Sequence, residues 1–497
     1  MNPENHLDPQ LGEPLSRPCV PLLATKVSKN STLLPRDTWS GNPLPATVQS
    51  ADEDICSAVT AASDAFESGP WHRQSKAERR DALLRWATLI EQHRDLLAYV
   101  NCMETGRSLK SLRDDSVPKA AAALRWFAEL SDKLDDRSVH TGKFGTDFAI
   151  VRREPVGIVA AILPWNDPLV TLAWKVAPAL AVGNSVIVKP SEHAPIVTGE
   201  AIRLAHSAGI PQGVLQMLTG DGRVGSRLIR QPGISKIAFT GSSHTASVIG
   251  AEAYQAGLKT MSFECGGKGA FIVCPSGRQP EEFAAVVAKN IFYNQGQICS
   301  APSIVHAPDS IAGEIAERIA GESYGYIPNN PLSSQTAGFM VSRDIVTRLR
   351  SSLRELSDDL FVGDVNDRKT PPATLEWSIT PTVLLGLGDD HAFWDTELFA
   401  PILLVRPYKQ IEEALAHARK SRYGLAAGVW SQDIDECMHI AAELRAGTVH
   451  INSWGDDPEQ IPFGGIKESG HGREKSTDAF DSYTYLKSIF YRPRSKI

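Results

Sequence analysis

The chain has 497 residues, with 51 lysine and arginine residues against 58 aspartate and glutamate residues, so its formal net charge is −7. Apolar residues at 42% and charged residues at 22% are ordinary proportions for a globular protein and exclude wholesale disorder. The sequence also excludes a membrane-spanning helix, because no apolar run approaches roughly 18–20 residues, and it carries no basic block dense enough for nucleic-acid binding.

Prolines crowd the first part of the chain and forbid long helices there. They predict an irregular or extended lead segment over residues 1 to about 45. Apolar residues at helical spacing then predict helices from Asp52 to about Leu134. Residues 142–157 predict a β-hairpin-like arm that turns near Gly145.

Apolar runs alternate with helical patterns from Gly157 to about Glu264. Continuous Val/Ile/Leu runs separated by helices are typical of a parallel doubly wound sheet. A second block of the same kind begins at Gly269 and runs to about residue 475, so the predicted fold class is α/β. The tail from Asp481 alternates like a strand and needs another sheet edge, which a second subunit could supply.

The seven cysteines are odd in number, widely spaced and without a CxxC pair. This pattern predicts neither a disulfide framework nor a zinc site. The first residues show neither the basic and apolar regions of a secretory signal nor an Arg-rich transit peptide. We therefore expect a cytoplasmic protein with no metal and with a thiol that can react.

Cys299 is the thiol whose neighbours indicate chemistry. It follows Gly296 and Gln297 in FYNQGQICSAPS. Most lone cysteines are inert small hydrophobes, but small and polar neighbours let this thiol stand in a cleft. A helix terminus or a cofactor cation would lower its pKa toward the thiolate that acts as a nucleophile.

Two further polar residues stand at the ends of apolar runs. Asn166 in PWNDP follows the run GIVAAIL, where its amide could donate to an oxyanion, although a role in a turn is the simpler alternative. Glu264 in MSFECGGKG precedes two glycines, and an apolar site would raise its pKa toward that of a general base. Taken alone, a surface or ion-paired glutamate is the simpler reading.

The motifs together give the sequence a family resemblance. From about residue 50 to the tail, it resembles the aldehyde dehydrogenase superfamily, in segments EPVGIVAAILPWN, KPSE, FTGS, ECGGK, FYNQGQIC, ELFAP, YGLAAGVW and PFGGIKESGHGRE. The resemblance implies NAD(P)-dependent oxidation of an aldehyde through a cysteine thiohemiacetal, followed by hydrolysis of a thioester. It implies that Cys299 is the nucleophile, that Asn166 and the Cys299 N–H form the oxyanion site, and that Glu264 activates the deacylating water.

The resemblance also implies a dinucleotide site. We predict NAD as the cofactor, because Glu192 of KPSE would accept hydrogen bonds from a ribose 2′-hydroxyl and repel a 2′-phosphate, while NADP stays open. The helix after FTGS would direct its N–H groups at the pyrophosphate. The implied cofactor-binding residues are Trp165, Lys189, Ser191, Glu192, Gly222, Phe239, Thr240, Gly241, Ser242, Glu397 and Phe399.

The substrate pocket is implied by position in the family pattern. Asp167 and Asp457 stand where many members carry aromatic residues, which suggests a polar or amino aldehyde, with Lys119 near the same mouth. The implied pocket residues are Asp167, Trp174, Tyr293, Ile298, Ser300, Trp454, Asp457 and Phe463. Three alternatives stay open at this point: a coenzyme A-acylating aldehyde dehydrogenase, a non-catalytic member of the fold, and, less favoured, a Cys-His hydrolase.

The resemblance implies three units: a Rossmann-like dinucleotide-binding domain, a second α/β catalytic domain and a small β oligomerisation arm, in a homodimer or homotetramer. The predicted ranges are 1–134 and 156–264 for the NAD-binding domain, 265–477 for the catalytic domain, and 135–155 and 478–497 for the arm.

Four residues depart from the family pattern. They are Ala246 and Ala400 in place of glycines, Cys265 in place of a leucine, and Ile304 where arginine is common. None of them is an implied catalytic residue, so we expect the chemistry to be intact.

Overall fold

The computed structural model describes residues 13–23, 32–33, 35, 37, 39–141, 147–277, 280–333, 337–363, 376–455 and 457–492. In the lead segment two short strands, β1 (Thr32–Leu33) and β2 (Thr47–Val48), pair antiparallel. Much of the predicted lead segment, and the predicted turn near Gly145, lie outside the described residues.

Helices follow the lead segment, as the apolar spacing predicts. They are α1 (Asp52–Glu67), α2 (Lys76–Gln92), α3 (Arg94–Thr105) and α4 (Val117–Leu130). Ser75 caps α2 in a reciprocal pair with Glu78, and Gly106, at φ 72°, ends α3 in a left-handed conformation. Trp86 and Leu83 are buried where α2 packs on α4, which brings these helices against the first sheet.

The first large sheet is parallel and confirms the predicted doubly wound block. Its parallel strands run in the order β9-β8-β5-β6-β7, and strands β5 and β6 are buried along their whole length. The strands are β5 (Ile158–Ile162), β6 (Ser185–Lys189), β7 (Leu215–Met217), β8 (Lys236–Gly241) and β9 (Thr260–Cys265). The connecting helices are α5 (Pro168–Ala181), α6 (Pro195–Ser207), α7 (Gly222–Ile229) and α8 (Ser243–Gln255). Because the strand order reverses between β5 and β8, a crevice opens at their carboxyl ends.

The second large sheet is also parallel, in the order β12-β13-β11-β10-β14-β15. Its strands are β10 (Gly269–Val273), β11 (Pro302–Pro308), β12 (Thr382–Leu385), β13 (Ile402–Tyr408), β14 (Ala426–Trp430) and β15 (Thr448–Ile451). Its helices are α9 (Pro280–Phe292), α10 (Ala312–Glu322), α11 (Arg343–Arg354), α12 (Ile411–Lys420) and α13 (Ile434–Glu443). The chain passes from the first sheet to the second through the three residues between β9 and β10.

A small antiparallel sheet forms the arm. It consists of β3 (Arg137–His140), β4 (Phe148–Pro155) and the tail strand β17 (Thr484–Tyr491), in the order β17-β4-β3. The tail therefore finds its sheet edge within its own chain, and the suggestion that a second subunit supplies it is not needed. The short strand β16 (Gly470–His471) adds to the first sheet beside β9. Among the described residues, no helix has the length and apolar character to cross a membrane.

Candidate active site

The backbone before Cys299 is bent tightly. After α9 ends, Asn294, Gln295 and Gly296 all adopt left-handed conformations, with φ of 48°, 56° and 67°. At Gly296 a Cβ atom would lie 2.2 Å from the carbonyl of Ala400, so only glycine fits. The turn therefore seats the cysteine segment against the ELFAP loop.

Side chains hold this segment from behind. Gln297 accepts a hydrogen bond from Val341 N at 3.0 Å and donates to Phe339 O at 3.2 Å. The indole N–H of Trp454 donates to Ser300 O at 2.9 Å. Trp454 is only 5% exposed, so it supports the cysteine segment from the core and is not an open wall of the pocket.

The two glycines after Glu264 allow the functional groups to converge. A Cβ atom on Gly266 would lie 1.9 Å from a carboxylate oxygen of Glu397, and one on Gly267 would lie 3.0 Å from Cys299 O. The N–H of Gly267 donates to Glu397 Oε1 at 3.2 Å. Glycine at both positions thus lets Glu397 and the cysteine segment approach the end of β9.

The environment of Cys299 disfavours a free thiolate. Burial, and then the negative charges of Glu397 and Glu264, raise the pKa of Cys299 to about 12. The surrounding protein groups therefore raise the pKa of Cys299, whereas a lowered pKa was expected from the sequence. Attack by sulfur requires that its proton be removed as the reaction begins.

Glu264 is the last residue but one of strand β9 and is 4% exposed. Both carboxylate oxygens are shielded from solvent, and the backbone of Gly465 is close enough to stabilise the charged form. Burial, reinforced by the charge of Glu474, raises the pKa of Glu264 well above its ordinary value. Gly464 leaves room for this carboxylate, because a Cβ atom there would lie 2.8 Å from Glu264 Oε1. A raised pKa makes a carboxylate a stronger base, which suits it to take a proton from water.

A buried ion pair lies beside this carboxylate. The Lys175 ammonium donates to Glu474 Oε1, and the two side chains are 0% and 5% exposed. Neither charge can reach water, so each depends on the other. The pair lies close to Glu264, whose pKa both charges influence.

Breaking this pair is expected to destabilise the fold. Lys175→Met leaves Glu474 buried without its partner, which costs about 3–5 kcal/mol of unfolding free energy. Lys110→Met, which breaks an exposed pair with Asp114, is the control and costs at most about 1 kcal/mol. Denaturant titration of both variants measures the loss in free energy of unfolding. Equal losses in the two variants would show that Glu474 does not need Lys175 to stay charged in the interior.

Asn166 lies beside the cysteine segment. Its side-chain amide donates to Gln297 O at 3.1 Å, and its own carbonyl accepts from Arg107 Nη1 at 3.2 Å. The amide is therefore fixed at the carboxyl end of β5, next to the residues that lead into Cys299. A rigid amide donor there fits an oxyanion site.

Most of the residues predicted for the cofactor lie along the carboxyl ends of the first sheet. Lys189 Nζ, at the end of β6, lies 3.6 Å from Glu192 Oε2. Helix α7 begins beside them: Gly225 would place a Cβ atom 3.9 Å from Lys189, and a Cβ atom on Gly222 would meet nothing within 4 Å. Ser191 lies in the connecting turn, where its hydroxyl accepts from a backbone N–H.

The end of β8 completes this edge. Ser242 caps α8 by accepting from Thr245 N at 3.2 Å, and Thr240 Oγ1 is buried without a partner among the described residues. Phe239 packs against the backbone of Gly241, where a Cβ atom would lie 2.4 Å from its ring. The N-terminus of α8, the buried Thr240 hydroxyl and the open space at Gly222 fit the phosphates of a dinucleotide.

An aromatic pair stands where the nicotinamide end is predicted. The rings of Trp165 and Phe399 lie 5.6 Å apart, edge to face. Phe399 has a left-handed backbone at φ 51°, and burial raises the pKa of its neighbour Glu397 to about 7. The structure thus brings Trp165 against Phe399 from a distant segment, and it brings Glu397 close enough to influence Cys299.

Another aromatic pair forms a wall of the predicted substrate pocket. The rings of Trp174 and Phe463 lie 5.6 Å apart. The indole N–H of Trp174 donates to Glu459 Oε1 at 3.4 Å, while Glu459 Oε2 is buried without a partner among the described residues. Lys475 Nζ lies 5.5 Å from the Trp174 ring centre.

The two predicted pocket aspartates differ in their surroundings. Asp167 accepts from Arg107 Nη1 at 2.9 Å and from Ser116 Oγ at 2.6 Å, so its charge is already paired. Asp457 Oδ1 lies 3.9 Å from His450 Nδ1. Of the remaining predicted residues, Tyr293 donates and accepts through its hydroxyl at the Arg107 side, and Ile298 and Ser300 flank Cys299, half-buried.

The contacts of the polar residues that hold these groups in place were not predicted from the sequence. Glu474 lies in the quoted GRE motif but gives no local sign of its buried lysine partner. The segment that carries Arg107 and Ser116 was interpreted only for helical spacing. The polar residues concerned are Arg107, Ser116, Lys175, Gln297, Glu459 and Glu474.

The four departures from the family pattern are all buried. Cys265 and Ala246 pack in the core around the first sheet, and Ala400 and Ile304 pack in the core near Trp394. None of them displaces a group at the site.

Comparisons with known proteins identify the family of the chain. The sequence pattern of the aldehyde dehydrogenase family matches residues 29–489. The NADP/NAD-dependent aldehyde dehydrogenase PuuC of Escherichia coli is 37% identical over 471 residues, which cover 94% of this chain and 93% of that protein. The aminoacetaldehyde dehydrogenase of Pseudomonas aeruginosa is 36% identical over 443 residues, with 88% of each protein covered.

A solved structure gives the same result for the fold. An indole-3-acetaldehyde dehydrogenase crystallised with NAD+ superposes with a TM-score of 0.89 at 33% identity, over 94% of this chain and 95% of that one. The sequence-based family prediction is confirmed. The chain belongs to the aldehyde dehydrogenase family and is an NAD(P)-dependent enzyme of aldehyde oxidation.

Proposed function

We propose that the chain oxidises an aldehyde to a carboxylic acid with NAD, through a covalent thioester on Cys299 that water hydrolyses. The observation that carries this proposal is the convergence of Cys299, Asn166 and Glu264 at the carboxyl end of the first sheet. An aldehyde panel followed by NADH absorbance tests it, with NADP as the second cofactor. Absence of aldehyde-dependent NADH formation across the panel would contradict it.

Sulfur chemistry begins the proposed reaction. The Cys299 thiol gives its proton to solvent water as its sulfur bonds to the aldehyde carbon. The resulting oxyanion accepts hydrogen bonds from the Asn166 amide and the Cys299 backbone N–H. When bound, NAD supplies a nicotinamide ring that accepts the hydride from that carbon. The carbonyl re-forms and leaves a thioester on Cys299.

Glu264 then acts on water. Its carboxylate takes one proton from a water molecule, whose oxygen bonds to the thioester carbon. The carbon–sulfur bond breaks, the acid leaves and the Cys299 sulfur is restored. Burial raises the pKa of Glu264 above its ordinary value, which makes its carboxylate a stronger base toward this proton.

Glu192 supports NAD as the cofactor in preference to NADP. Its carboxylate lies by Lys189 at the end of β6, where a dinucleotide fold places the adenosine ribose. A 2′-phosphate would meet the charge of Glu192. The dual name of the Escherichia coli relative keeps NADP as the comparison to run.

Glu264 also supports hydrolysis in preference to acylation of coenzyme A. A buried base beside the sulfur has a use when water resolves the thioester, and the resemblance implies that acylating relatives lack it. Product analysis with and without coenzyme A decides between them. An acyl-coenzyme A as the major product would overturn the hydrolytic proposal.

The substrate part of the proposal is a polar or amino aldehyde. Glu459 supports it, because one of its oxygens is buried by the Trp174–Phe463 pair without a partner among the described residues. Asp457 adds a second carboxylate on the same loop. Asp167 does not support it, because Arg107 and Ser116 already pair its charge. The name of the Pseudomonas relative points the same way.

A cationic aldehyde is therefore expected to have the higher kcat/KM. We expect 4-aminobutyraldehyde to exceed butyraldehyde by about tenfold, since a charge-assisted hydrogen bond contributes about 1.5–3 kcal/mol. Glu459→Gln should remove most of that ratio while Glu281→Gln, a change on the surface, should keep it. A preference for butyraldehyde in the unaltered enzyme would end the amino-aldehyde proposal.

The arm supports an oligomer. We extend the proposal to a homodimer or homotetramer in the cytoplasm. Within each chain, the proposed domains are those with the ranges predicted from the sequence. The surface of the arm is rich in exposed apolar side chains, more than a monomer usually leaves in water. They are Val139, Tyr485, Leu486, Ile489, Phe490 and Tyr491.

A further inference from the structure

One arginine joins the two sides of the active site. Arg107 follows α3 and is 3% exposed. Its Nη1 donates to Asn166 O at 3.2 Å and to Asp167 Oδ2 at 2.9 Å, and its Nη2 donates to Tyr293 OH at 2.7 Å. Its Nε donates to Ser111 Oγ at 3.0 Å. All three guanidinium nitrogens are therefore engaged.

The acceptors come from different parts of the fold. Asn166 and Asp167 lie in the loop after β5 of the first sheet, whereas Tyr293 follows α9 and begins the turn that leads to Cys299. The Arg107 guanidinium carbon also lies 5.2 Å from the Tyr293 ring centre. Arg107 thus links the segment that carries the oxyanion donor to the segment that carries the nucleophile.

The backbone of Arg107 is itself held firmly. Gly106 takes a left-handed conformation, and its carbonyl accepts from Phe339 N at 2.8 Å. Gly338 allows this approach, because a Cβ atom there would lie 2.4 Å from Gly106 O. Two residues after Arg107, the N–H of Leu109 donates to Pro331 O at 2.8 Å. The guanidinium is therefore a fixed reference for the residues that it holds.

Arg107 also decides what Asp167 can do. One Asp167 oxygen accepts from Arg107 and the other accepts from Ser116 Oγ at 2.6 Å. A paired carboxylate with both oxygens engaged has little to offer a cationic substrate. Without Arg107, the same carboxylate would keep its hydrogen bond from Ser116 and the charge of Lys119 in its vicinity, but it would lose its guanidinium partner.

We propose that Arg107 is a positioning residue that sets the placement of the Asn166 amide relative to Cys299 and keeps the Asp167 charge out of substrate recognition. The inference rests on the proposed function, because both effects are defined by the reaction at Cys299. A planar guanidinium is needed, since it donates to four acceptors in fixed directions and an ammonium does not.

Arg107→Ala is expected to lower kcat about 100-fold, the scale of a lost oxyanion donor. At the same time, the ratio of kcat/KM for 4-aminobutyraldehyde over butyraldehyde should rise about tenfold, because Asp167 loses its guanidinium partner. Arg107→Lys should restore the substrate ratio, because it keeps the charge, but should recover kcat only in part. Arg125→Ala, which breaks a surface pair with Glu91, is the control and should change neither value.

A double variant separates positioning from folding. Arg107→Ala/Asp167→Asn removes both charges, so it avoids leaving the carboxylate without its guanidinium partner, which could unfold the single variant. We expect it to keep the low kcat and to return the substrate ratio to that of the unaltered enzyme. A normal kcat in Arg107→Ala or in the double variant would overturn the proposal. An unchanged substrate ratio in folded Arg107→Ala would overturn it as well.

Hydrogen exchange tests the same inference without turnover. We expect the peptides that contain Asn166 and Tyr293 to lose amide protection in Arg107→Ala and to keep it in Arg125→Ala. If the unaltered enzyme oxidises no aldehyde, the proposed function is wrong. Hydrogen exchange would then still test whether Arg107 holds the Asn166 and Tyr293 segments in place. Unchanged protection in both peptides would contradict it.

Discussion

Cys299→Ala is expected to reduce aldehyde oxidation by about 10⁴-fold or more, to the limit of detection, because every covalent step needs its sulfur. Among the described residues, Cys265 is the cysteine nearest in sequence to Glu264, and it packs in the core around the first sheet. Cofactor affinity should change by no more than about twofold, because the cofactor residues lie on other segments.

The measurement pairs NADH formation with cofactor titration by protein fluorescence. Cys56→Ala, a change at an exposed cysteine on α1, is the matched control and should retain full activity. Turnover that survives in Cys299→Ala would move the nucleophile elsewhere. Loss of cofactor binding together with activity would show that the variant had disturbed the fold instead of the chemistry.

Glu264→Gln is expected to separate the two halves of the reaction. The first equivalent of NADH should still form, because sulfur attack and oxidation precede the step that needs the base. Steady turnover should fall about 10²- to 10⁴-fold, the range of a lost general base. Stopped-flow absorbance checks this as a burst followed by a slow phase, and Glu281→Gln should show the full steady rate.

The pH dependence of this step has a definite sign. Only ionised Glu264 can take a proton from water, and its pKa is raised by burial, so turnover should rise with pH through that raised value. Glu264→Gln should lose the rising limb. The stability of the unaltered protein should fall as turnover rises. Ionising the buried Glu264 carboxyl in the folded protein costs free energy once the pH exceeds the pKa of an unfolded glutamate, about 4.3. Glu264→Gln has no such cost, so it should become more stable than the unaltered protein at higher pH. An unchanged steady rate at neutral pH would exclude Glu264 as the base.

Local patterns in the sequence predict much of the fold. The apolar run at Ile158–Ile162 is a parallel strand buried along its whole length, and Asn166 stands at its carboxyl end as predicted. Strand ends of one parallel sheet meet at one edge, so Glu264 and Lys189 could be assigned to that edge from the chain order alone. The FTGS motif begins a capped helix for the same local reason.

Contacts between distant segments could not be predicted. Arg107 reaches across 59 residues to Asn166 and across 186 residues to Tyr293, and no local pattern encodes either contact. The raised pKa of Cys299 depends on Glu397, which lies far along the chain. Asp167 looked available to a substrate because its partners were not visible in the sequence.

Burial is a second property that position in a motif does not give. Trp454 lies in the loop predicted to line the pocket, but its ring fills space that Gly269 and Gly428 leave open in the core. The tail strand shows the same limit for pairing. Its alternation predicts a strand, while the choice of β4 of the same chain as partner depends on where the arm lies.

The most direct test of the account asks where the acyl group is held. Glu264→Gln protein is mixed with NAD and excess aldehyde, quenched in acid during the slow phase, digested, and analysed by mass spectrometry. The account predicts that the peptide containing Cys299 carries the mass of the acyl group at about one per chain. NADH release with an unmodified Cys299 peptide, or an acyl group on another cysteine, would contradict it.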